Sequence, residues 1–482
     1  MEMTQAAEDW DAIVVGGGVA GLVAARELAL AGLHTVVLEA WVTPGGVVGR
    51  HEVDGMTLDA GAESFATRGG VVADLAGEVG LTGKVVSPEP YGAWVRLPRG
   101  SGPLPRTGLL GIPAHPFAAD VRRTIGWTGS LRAAMDRLLP TRHGLRPEGE
   151  VITLAELVRA RMGRRVLERL VRPVVAGVHA ADPEAIAADA VAPGLVAAVR
   201  KEGALGPAVR AMRANAPAGS AVNSFDGGLH TLVDALAADL VERGGEVRCG
   251  AAVTEVHRAQ GAARFRVEAD GRTLTAPRLV VATPRATELL TTVAPELAGL
   301  HTDPGADIVL ATLVLDAPEL DAHPRGTGVL VAKGVAEVRA KALTHATAKW
   351  SWLARAAGPG RHVVRLSYGR AGEGAPDVPA DLDGLTDLAL HDASAILGVP
   401  LDRSRLRASA RVTWRQGLPV PSAAHRETVR RVREVVAEVP GLAVVGAWVA
   451  GNGLASVVPD ARRAGADLAG SDPAAASTRR PG

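Results

Sequence analysis

The same order of apolar and helical patterns occurs at both ends of the chain. A short run from Asp11 to Val15 ends in three glycines, which predicts a buried parallel strand. A helical pattern runs from Leu22 to Ala31, and a second strand pattern runs from Thr35 to Leu38 and ends at Glu39. Near the C-terminus, a strand pattern (442–445), a glycine-rich loop (446–456) and a helical pattern (457–469) follow one another.

The middle of the chain predicts two further layers. Residues 120–172 are helical in pattern. Residues 227–257 predict a helix and two strand pieces, and residues 263–282 predict a hairpin that leads into a buried strand. Strand patterns at 308–315, 328–332 and 362–367 predict a mixed sheet, with helical patterns at 382–397 and 427–438. The prediction is therefore an α/β protein of several domains.

Composition excludes several classes of protein. The 482 residues are 47% hydrophobic with a net charge of +1, so the chain can bury a large core and lacks the basic excess of a nucleic-acid binder. Its one cysteine, Cys249, cannot form an internal disulfide and is interpreted as a buried structural thiol at a strand end. The polar N-terminus is unlike a signal peptide, and no apolar run is long enough to span a bilayer. We expect a cytoplasmic protein and leave peripheral membrane contact open.

The first strand–turn–helix pattern contains a phosphate-binding motif. Gly16, Gly18 and Gly21 form G-x-G-x-x-G, in which the first glycine permits a tight turn, the second admits a pyrophosphate and the third lets helix and strand pack closely. Glu39 ends the second strand, 18 residues beyond Gly21, where its carboxylate can accept hydrogen bonds from ribose hydroxyls. Because strand, helix and acidic residue all stand in place, a glycine turn without a ligand is the weaker interpretation.

The residues after Glu39 distinguish between dinucleotides. A second glycine pair, Gly45–Gly46, is followed by residues 51–64 with Gly61 near their end. This segment resembles the FAD-dependent amine oxidase and porphyrinogen oxidase superfamily. There the glycine pair passes close to FAD, and a β-hairpin leads to a segment beside the isoalloxazine. The resemblance implies a two-dinucleotide-binding-domain FAD fold with a mixed-sheet substrate domain and a helical domain.

Narrower segments resemble bacterial protoporphyrinogen and coproporphyrinogen oxidases. These are residues 170–183, which contain Gly177-Val-His179 and end in Asp-Pro, together with 225–229, 415–419 followed by His425, and 451–454. The resemblance extends over almost the whole chain. It departs from the family at Val47, where arginine or lysine is common, and at His179, which replaces a usual tyrosine.

Carried over position by position, the resemblance implies a set of FAD contacts. These contacts are Gly16, Gly17, Gly18, Val19, Ala20, Gly21, Glu39, Ala40, Gly45, Gly46, Val47, Gly61, Ala62, Glu63, Ser64, Val253, Asn452, Gly453, Leu454, Ala455 and Ser456. Gly177, His179 and Arg96 are the candidate substrate contacts. The helix after residue 456 would point its N-terminus at the flavin, where partial positive charge favours the reduced, anionic form. His230 and His425 are expected to cap or pack.

The implied domain order alternates between the cofactor and substrate parts. The predicted parts are 1–90, 216–290 and 436–471 for FAD binding, 91–215 for a helical domain, 291–435 for the mixed-sheet substrate domain, and 472–482 for a disordered tail.

The implied reaction removes six hydrogens from a porphyrinogen, with hydride passing to FAD in three steps and molecular oxygen as acceptor. Aromatisation drives such a reaction, so we assign no catalytic acid or base, and no metal-ligand pattern is present. Coproporphyrinogen III, as in haem biosynthesis, is the first choice of substrate, with product hand-over to a ferrochelatase as a further expectation.

Twelve arginines and five acids lie between Arg122 and Arg172, a local charge of about +7. They favour the substrate with four propionates over protoporphyrinogen IX, which has two. A solvated arginine surface is an equally good interpretation.

Three alternatives remain open. They are protoporphyrinogen IX oxidation, another flavin amine oxidase-like reaction, and a non-enzymatic carrier of this fold. A two-ring amine cage is disfavoured, because Gly446-Ala447-Trp448 stands where such rings are usual and aromatic residues make up only 3% of the chain.

Overall fold

The computed structural model describes residues 7–147, 149–179, 182–214, 222–258, 265–300, 306–370, 374–418 and 423–471. The strands in chain order are β1 (Glu8–Asp9), β2 (Ala12–Val15), β3 (Thr35–Glu39), β4 (Arg50–Val53), β5 (Met56–Asp59), β6 (Phe65–Ala66), β7 (Val85–Val86), β8 (Ala93–Arg96), β9 (Ser101–Pro103), β10 (Val222–Phe225), β11 (Glu246–Cys249), β12 (Val253–Arg258), β13 (Phe265–Ala269), β14 (Arg272–Ala276), β15 (Arg278–Val281), β16 (Ala306–Asp316), β17 (Gly328–Val331), β18 (Ala342–His345), β19 (Arg361–Tyr368), β20 (Leu406–Leu418) and β21 (Leu442–Val444).

The α-helices follow in the same order. They are α1 (Val19–Leu30), α2 (Val71–Glu78), α3 (Ala119–Ala134), α4 (Leu154–Met162), α5 (Arg164–Val166), α6 (Arg172–His179), α7 (Ala188–Val191), α8 (Leu195–Glu202), α9 (Leu205–Ala214), α10 (Thr231–Glu242), α11 (Ala286–Leu289), α12 (Ala346–Lys349), α13 (Ser351–Ala357), α14 (Leu382–Leu397), α15 (Ala423–Ala437), α16 (Ala447–Ala450) and α17 (Leu454–Gly470). A π-helical turn, Leu167–Val171, joins α5 to α6.

A five-stranded parallel sheet in the order β11-β3-β2-β15-β21 forms the centre of the first unit. The central strand β2 is buried along its whole length, which explains its continuous Ala-Ile-Val-Val run. On one face the sheet packs against α1, α10 and α17, and on the other against the meander β12–β14 and α15. The two halves of this unit come from distant parts of the sequence.

A seven-stranded mixed sheet in the order β20-β16-β19-β18-β17-β8-β9 forms the second unit. Helix α14 covers one face, where Leu313 and Leu366 are buried. The hairpin β4–β5 and helices α12 and α13 pack against the other face. This second face, called here the inner face, therefore adjoins the cofactor-binding unit.

The third unit is a bundle of helices α3–α9 with its own apolar core, which includes Ile125, Leu157 and Leu170. A buried ion pair supports it. Arg161, fully buried, donates through Nε to Asp136 at 2.6 Å and through Nη2 to the carbonyl oxygen of Gly203 at 2.7 Å.

The predicted fold is confirmed, and its errors are local. Helix α1 begins at Val19 rather than Leu22, and α17 begins at Leu454 rather than Val457. Strands β8, β9, β18 and β20 of the seven-stranded sheet were not predicted. The predicted domain boundaries stay predictions, and the predicted tail 472–482 lies outside the described residues.

The prediction of a buried Cys249 is wrong. Its side chain is exposed, because it is the last residue of β11, an edge strand of the parallel sheet. Partial burial and the neighbouring Glu39 carboxylate raise the pKa of the thiol, which disfavours the reactive thiolate.

Candidate functional site

The turn between β2 and α1 has no room for side chains at two of its glycines. Gly16 has a φ of 105°, and a Cβ on it would lie 3.2 Å from the carbonyl oxygen of Ala282. A Cβ on Gly21 would overlap the carbonyl oxygen of Gly16. The absence of side chains thus lets the turn, the helix and the neighbouring strand end meet, as the motif predicts.

The N-terminus of α1 is not capped by a side chain. Gly18 precedes the helix, and the first turn contains no acidic residue. The Leu22 N–H donates to the carbonyl oxygen of Gly18 at 3.0 Å, which closes the first helical turn. The N–H groups before it point out of the helix end with partial positive charge, an arrangement that suits a pyrophosphate.

Glu39 lies at the end of β3 with its carboxylate held by the backbone. Its Oε2 accepts from the Gly17 N–H at 2.7 Å, and its Oε1 accepts from the Trp41 N–H at 2.9 Å. A carboxylate offers about four lone-pair positions, so Glu39 retains acceptor capacity for ribose hydroxyls. The Ala251 N–H donates to the Glu39 carbonyl at 2.8 Å, which brings the chain leading to Val253 beside this carboxylate.

The second glycine pair connects the turn to the segment after the hairpin. The Gly45 N–H donates to the Gly17 carbonyl at 2.8 Å, and the Ala62 N–H donates to the Val47 carbonyl at 2.7 Å. A Cβ on Gly61 would overlap the Val47 carbonyl oxygen. The structure therefore brings three separate predicted contact segments, at 16–21, 45–47 and 61–64, into one continuous surface.

The predicted C-terminal loop joins the same site through apolar packing. Leu454 and Val457 in the first turn of α17 share a buried cluster with Phe65, which follows Ser64, and with Val19 at the start of α1. Gly453 has a φ of 101°, and α17 has no side-chain N-cap. A second uncapped helix end thus belongs to this unit, and its position beside the flavin stays a prediction.

Residues that the sequence analysis missed hold the segment 59–64 from the side of the seven-stranded sheet. The Arg365 Nη1 donates to the Asp59 carbonyl at 3.0 Å, and the Trp414 Nε1 donates to the Ala60 carbonyl at 3.2 Å. Glu63 forms ion pairs with Lys349 and with Arg365. One feature of the sequence could have indicated these contacts. Arg365 lies between the buried Val364 and Leu366 of β19, so it points to the opposite face of that strand, and its charge indicates a polar partner there.

Both histidines expected to cap or pack are buried. His230 contacts Asp59, whose carboxylate accepts from its ring Nδ1 and from its backbone N–H, each at 2.9 Å. The ring Nε2 of His425 contacts the Trp448 carbonyl at 2.8 Å. Trp448 itself is 3% exposed, so its ring packs in the core and does not form the wall of an amine cage.

The candidate substrate residues lie away from the glycine turn. A Cβ on Gly177 would lie 2.7 Å from Leu330 Cδ2, so α6 packs against β17. Arg96 is paired in register with Val331, whose side chain points to the α14 side of the sheet, and forms an ion pair with Glu337. Gly177 and Arg96 therefore adjoin opposite faces of β17. The side chain of His179 lies outside the described part of the structure.

Most arginines of the 122–172 region bind this chain's own atoms. Arg132 donates to the carbonyl oxygens of Ala160 and Arg161, Arg169 donates to that of Thr124, and Arg172 pairs with Glu168. These contacts support the interpretation that they cover and fix a helical surface.

The residues present fit FAD. Side-chain-free glycines, an uncapped and slightly positive helix end, and a carboxylate with free acceptor capacity match a pyrophosphate followed by a ribose. With the second strand–loop–helix unit in the same sheet, this arrangement defines a flavin-dependent oxidoreductase. No group of metal ligands occurs within the described ranges, and none of their helices is long and apolar enough to cross a membrane.

Comparison with known proteins agrees with this class. Residues 19–470 match the family of flavin containing amine oxidoreductases. The chain is 30% identical over 467 residues to coproporphyrinogen III oxidase of Mycobacterium tuberculosis, covering 94% of this chain and 95% of the relative. It is 24% identical to the enzyme of that name from Bacillus subtilis, covering 94% and 97%. A solved structure from an Exiguobacterium species, provisionally named a protoporphyrinogen oxidase, is 26% identical with a TM-score of 0.79 and covers 96% and 98%.

The chain therefore belongs to the flavin containing amine oxidoreductase family. Its cofactor is FAD. The individual FAD contacts named above remain predicted contacts.

Proposed function

We propose that the protein catalyses the FAD- and oxygen-dependent oxidation of coproporphyrinogen III to coproporphyrin III. The observation that carries the proposal is the end-to-end similarity to the Mycobacterium tuberculosis coproporphyrinogen III oxidase, 30% identity over 94% of this chain. The joined segments 16–21, 45–47 and 61–64 support the same proposal, because they provide the cofactor surface that the reaction needs.

The segments 16–21, 45–47 and 61–64 would hold FAD, which would supply three two-electron oxidations by hydride acceptance, with oxygen as the final acceptor. The protein's task is to hold the macrocycle against the flavin and to exclude water. On the inner face, an apolar cluster of Ile308, Leu310, Val412 and Trp414 suits a largely apolar ring. It borders the cofactor segment, because Trp414 donates to the Ala60 carbonyl. Gly177 and His179 are proposed to contact the substrate on this face. Arg96, the third predicted contact, is paired with Val331 on the α14 side of the sheet and so points away from this cluster.

No general acid or base is assigned. Aromatisation supplies the driving force, and the pyrrole protons can leave to solvent. Glu63 is a poor candidate for a base, because Lys349 and Arg365 outweigh the effect of burial and hold its pKa below the ordinary value.

Anaerobic flavin reduction tests the proposal. The purified holoenzyme is mixed with coproporphyrinogen III or protoporphyrinogen IX without oxygen, and flavin absorbance is followed before air is admitted. We expect coproporphyrinogen III to bleach the flavin faster and oxygen to restore the colour with release of coproporphyrin III. Faster bleaching by protoporphyrinogen IX would contradict coproporphyrinogen III as the substrate. It would favour protoporphyrinogen IX, which agrees with the name given to the Exiguobacterium relative.

Two further outcomes decide between the remaining alternatives. Bleaching by a primary or secondary amine, and by neither porphyrinogen, would indicate another amine oxidase-like reaction. A flavin that no substrate reduces would indicate a carrier.

Product hand-over to a ferrochelatase is also part of the proposal. It predicts that metal is inserted into coproporphyrin III faster when both proteins are present than when the ferrochelatase is supplied with free coproporphyrin III.

A cytoplasmic protein with peripheral membrane contact is the localisation that we propose. Trp127, Leu131, Met135 and Leu138 are spaced along one helical face of α3 and the turn that follows, and each is 49–83% exposed. Exposed arginines flank this apolar stripe, and the one acid within 121–147, Asp136, is buried. Exposed apolar side chains beside basic residues suit the surface of an anionic phospholipid bilayer.

A further inference from the structure

A chain of polar contacts crosses the joint between the seven-stranded sheet and the cofactor-binding unit. Arg365, on β19, binds both ends of the segment 59–63. Its Nη1 donates to the Asp59 carbonyl at 3.0 Å, and its Nη2 pairs with Glu63 Oε2 at 3.0 Å. Lys349, at the end of α12, pairs with the other oxygen of Glu63 at 2.6 Å. Both oxygens of the Glu63 carboxylate thus have a cationic partner.

These three side chains are shielded from water. The exposed fractions are 13% for Arg365, 12% for Glu63 and 18% for Lys349. Burial alone would raise the pKa of Glu63, but the charges of Lys349 and Arg365 outweigh it and lower the pKa. Glu63 therefore stays ionised, so these three side chains contain two positive charges and one negative charge. The nearby Asp59 carboxylate has its own partners, the ring of His230 and the backbone N–H groups of Leu229 and His230. In a poorly solvated place, such a surplus acts over several ångströms.

The charged cluster lies beside the segment that is predicted to contact the flavin. Glu63 belongs to the segment 61–64, whose backbone is the predicted neighbour of the isoalloxazine ring. The same segment is held from the other side by the bond between Ala62 and Val47. A shift at Arg365 would therefore move the segment relative to the second glycine pair.

We propose that Arg365 and Lys349 are positioning residues for the flavin. Arg365 sets the position of the segment 59–63 by donating to the Asp59 carbonyl and by forming an ion pair with Glu63. Lys349, together with Arg365, leaves a net positive charge beside the segment, which stabilises the reduced, anionic flavin relative to the oxidised form. The proposal rests on FAD binding at the segment 61–64 and does not depend on the identity of the substrate.

Titration of the flavin without substrate tests the proposal, so its failure is distinguishable from failure of the porphyrinogen assignment. The midpoint potential of the flavin, the FAD dissociation constant and the melting temperature are measured for wild type, K349M, K349R, R365K and R365Q. The control is R355Q, in the adjoining helix α13, which removes the surface ion pair between Arg355 and Asp226. The control is expected to match wild type in all three measurements.

The variants separate charge from geometry. K349M should lower the midpoint potential, whereas K349R, which keeps the charge, should retain it. R365K keeps the charge but cannot span Asp59 and Glu63, so it should bind FAD about tenfold more weakly while retaining most of the potential. R365Q should show both effects. A wild-type potential in K349M would overturn the charge role, and wild-type FAD affinity in R365K would overturn the positioning role. If K349M does not fold, the comparison of R365K with R365Q still decides the charge role.

Discussion

The Cα of Gly21 in α1 lies directly against the carbonyl oxygen of Gly16, so a methyl group at position 21 would overlap that oxygen. To relieve this overlap, α1 must move away from the glycine turn, which would displace the helix end from the predicted pyrophosphate position. We expect G21A to lose FAD and to be destabilised by about 1–3 kcal/mol, a typical cost of overpacking. Flavin content after purification and urea unfolding measure the two effects.

Gly77 provides the matched control for that substitution. It lies in α2, and a Cβ on it would find only Thr82 Oγ1 within 4 Å, at 3.7 Å. G77A should keep its flavin and be at least as stable as wild type, because alanine is the better helix former. Equal behaviour of G21A and G77A would show that the close contact at Gly21 does not matter.

Glu39 is predicted to contribute to FAD binding through acceptor capacity that alanine lacks. E39A should weaken FAD binding at least tenfold, since it removes hydrogen bonds from a charged acceptor and leaves the Gly17 and Trp41 N–H groups without their partner. Equilibrium dialysis with FAD measures the loss. The exposed Glu242 at the end of α10 gives the control E242A, which should bind FAD like wild type. Unchanged affinity in E39A would remove Glu39 from the site.

The buried ion pair between Arg161 and Asp136 is predicted to stabilise the helical bundle. Removing one partner of a buried ion pair leaves the other charge uncompensated, so R161M should lower the free energy of unfolding by about 3–5 kcal/mol. Arg161 also donates to carbonyl oxygens of Pro140 and Gly203, which adds unpaired acceptors to the cost. The exposed Arg142 provides the control, because R142M should change stability by at most about 0.5 kcal/mol. Denaturant titration of both variants decides the point.

The two ends of the chain were predictable, because their signals are local. The β2–α1 turn needs glycine at positions 16 and 21 for steric reasons that appear directly as sequence spacing. The contacts that join the two large units were not predictable. Arg365 and Glu63 are 302 residues apart, and neither stands in a pattern that names its partner. Strand β20 was also missed, because Arg407, which binds Asp54, and Arg411, which donates to the Pro379 carbonyl, interrupt the apolar pattern.

The apolar stripe of α3 predicts binding to anionic vesicles. Wild-type protein should sediment with vesicles that contain phosphatidylglycerol and remain in solution with pure phosphatidylcholine. L131S with M135S should lose most of this binding without a change in flavin content, because both side chains are exposed. Vesicle binding that survives the double substitution would contradict the proposed surface. Concentration-dependent dimerisation of wild type that is lost in the same variant would also contradict it, because the stripe would then contact a second copy of the chain.

The buried histidines of the seven-stranded sheet predict acid sensitivity. His345 is 0% exposed and its ring Nε2 contacts His362 Nδ1 at 2.9 Å, while His362 Nε2 contacts Asp321 at 3.1 Å. Burial, followed by the nearby His362 and His323, lowers the pKa of His345 from 6.5 to about 3. Burial also lowers the pKa of His362, against the opposing effect of Asp321. The folded state therefore keeps both rings neutral under conditions in which the unfolded chain binds protons.

Stability must then fall as the pH drops below about 6.5, and for His345 the fall continues towards pH 3. Each such group contributes a slope of up to about 1.4 kcal/mol per pH unit within its window. H345Q removes one group, so its free energy of unfolding should depend less steeply on pH between 6 and 4 than that of wild type. The control is H257Q, which removes a partly exposed histidine on β12 and should keep the wild-type slope. Parallel slopes for wild type and H345Q would mean that His345 takes up its proton in the folded state.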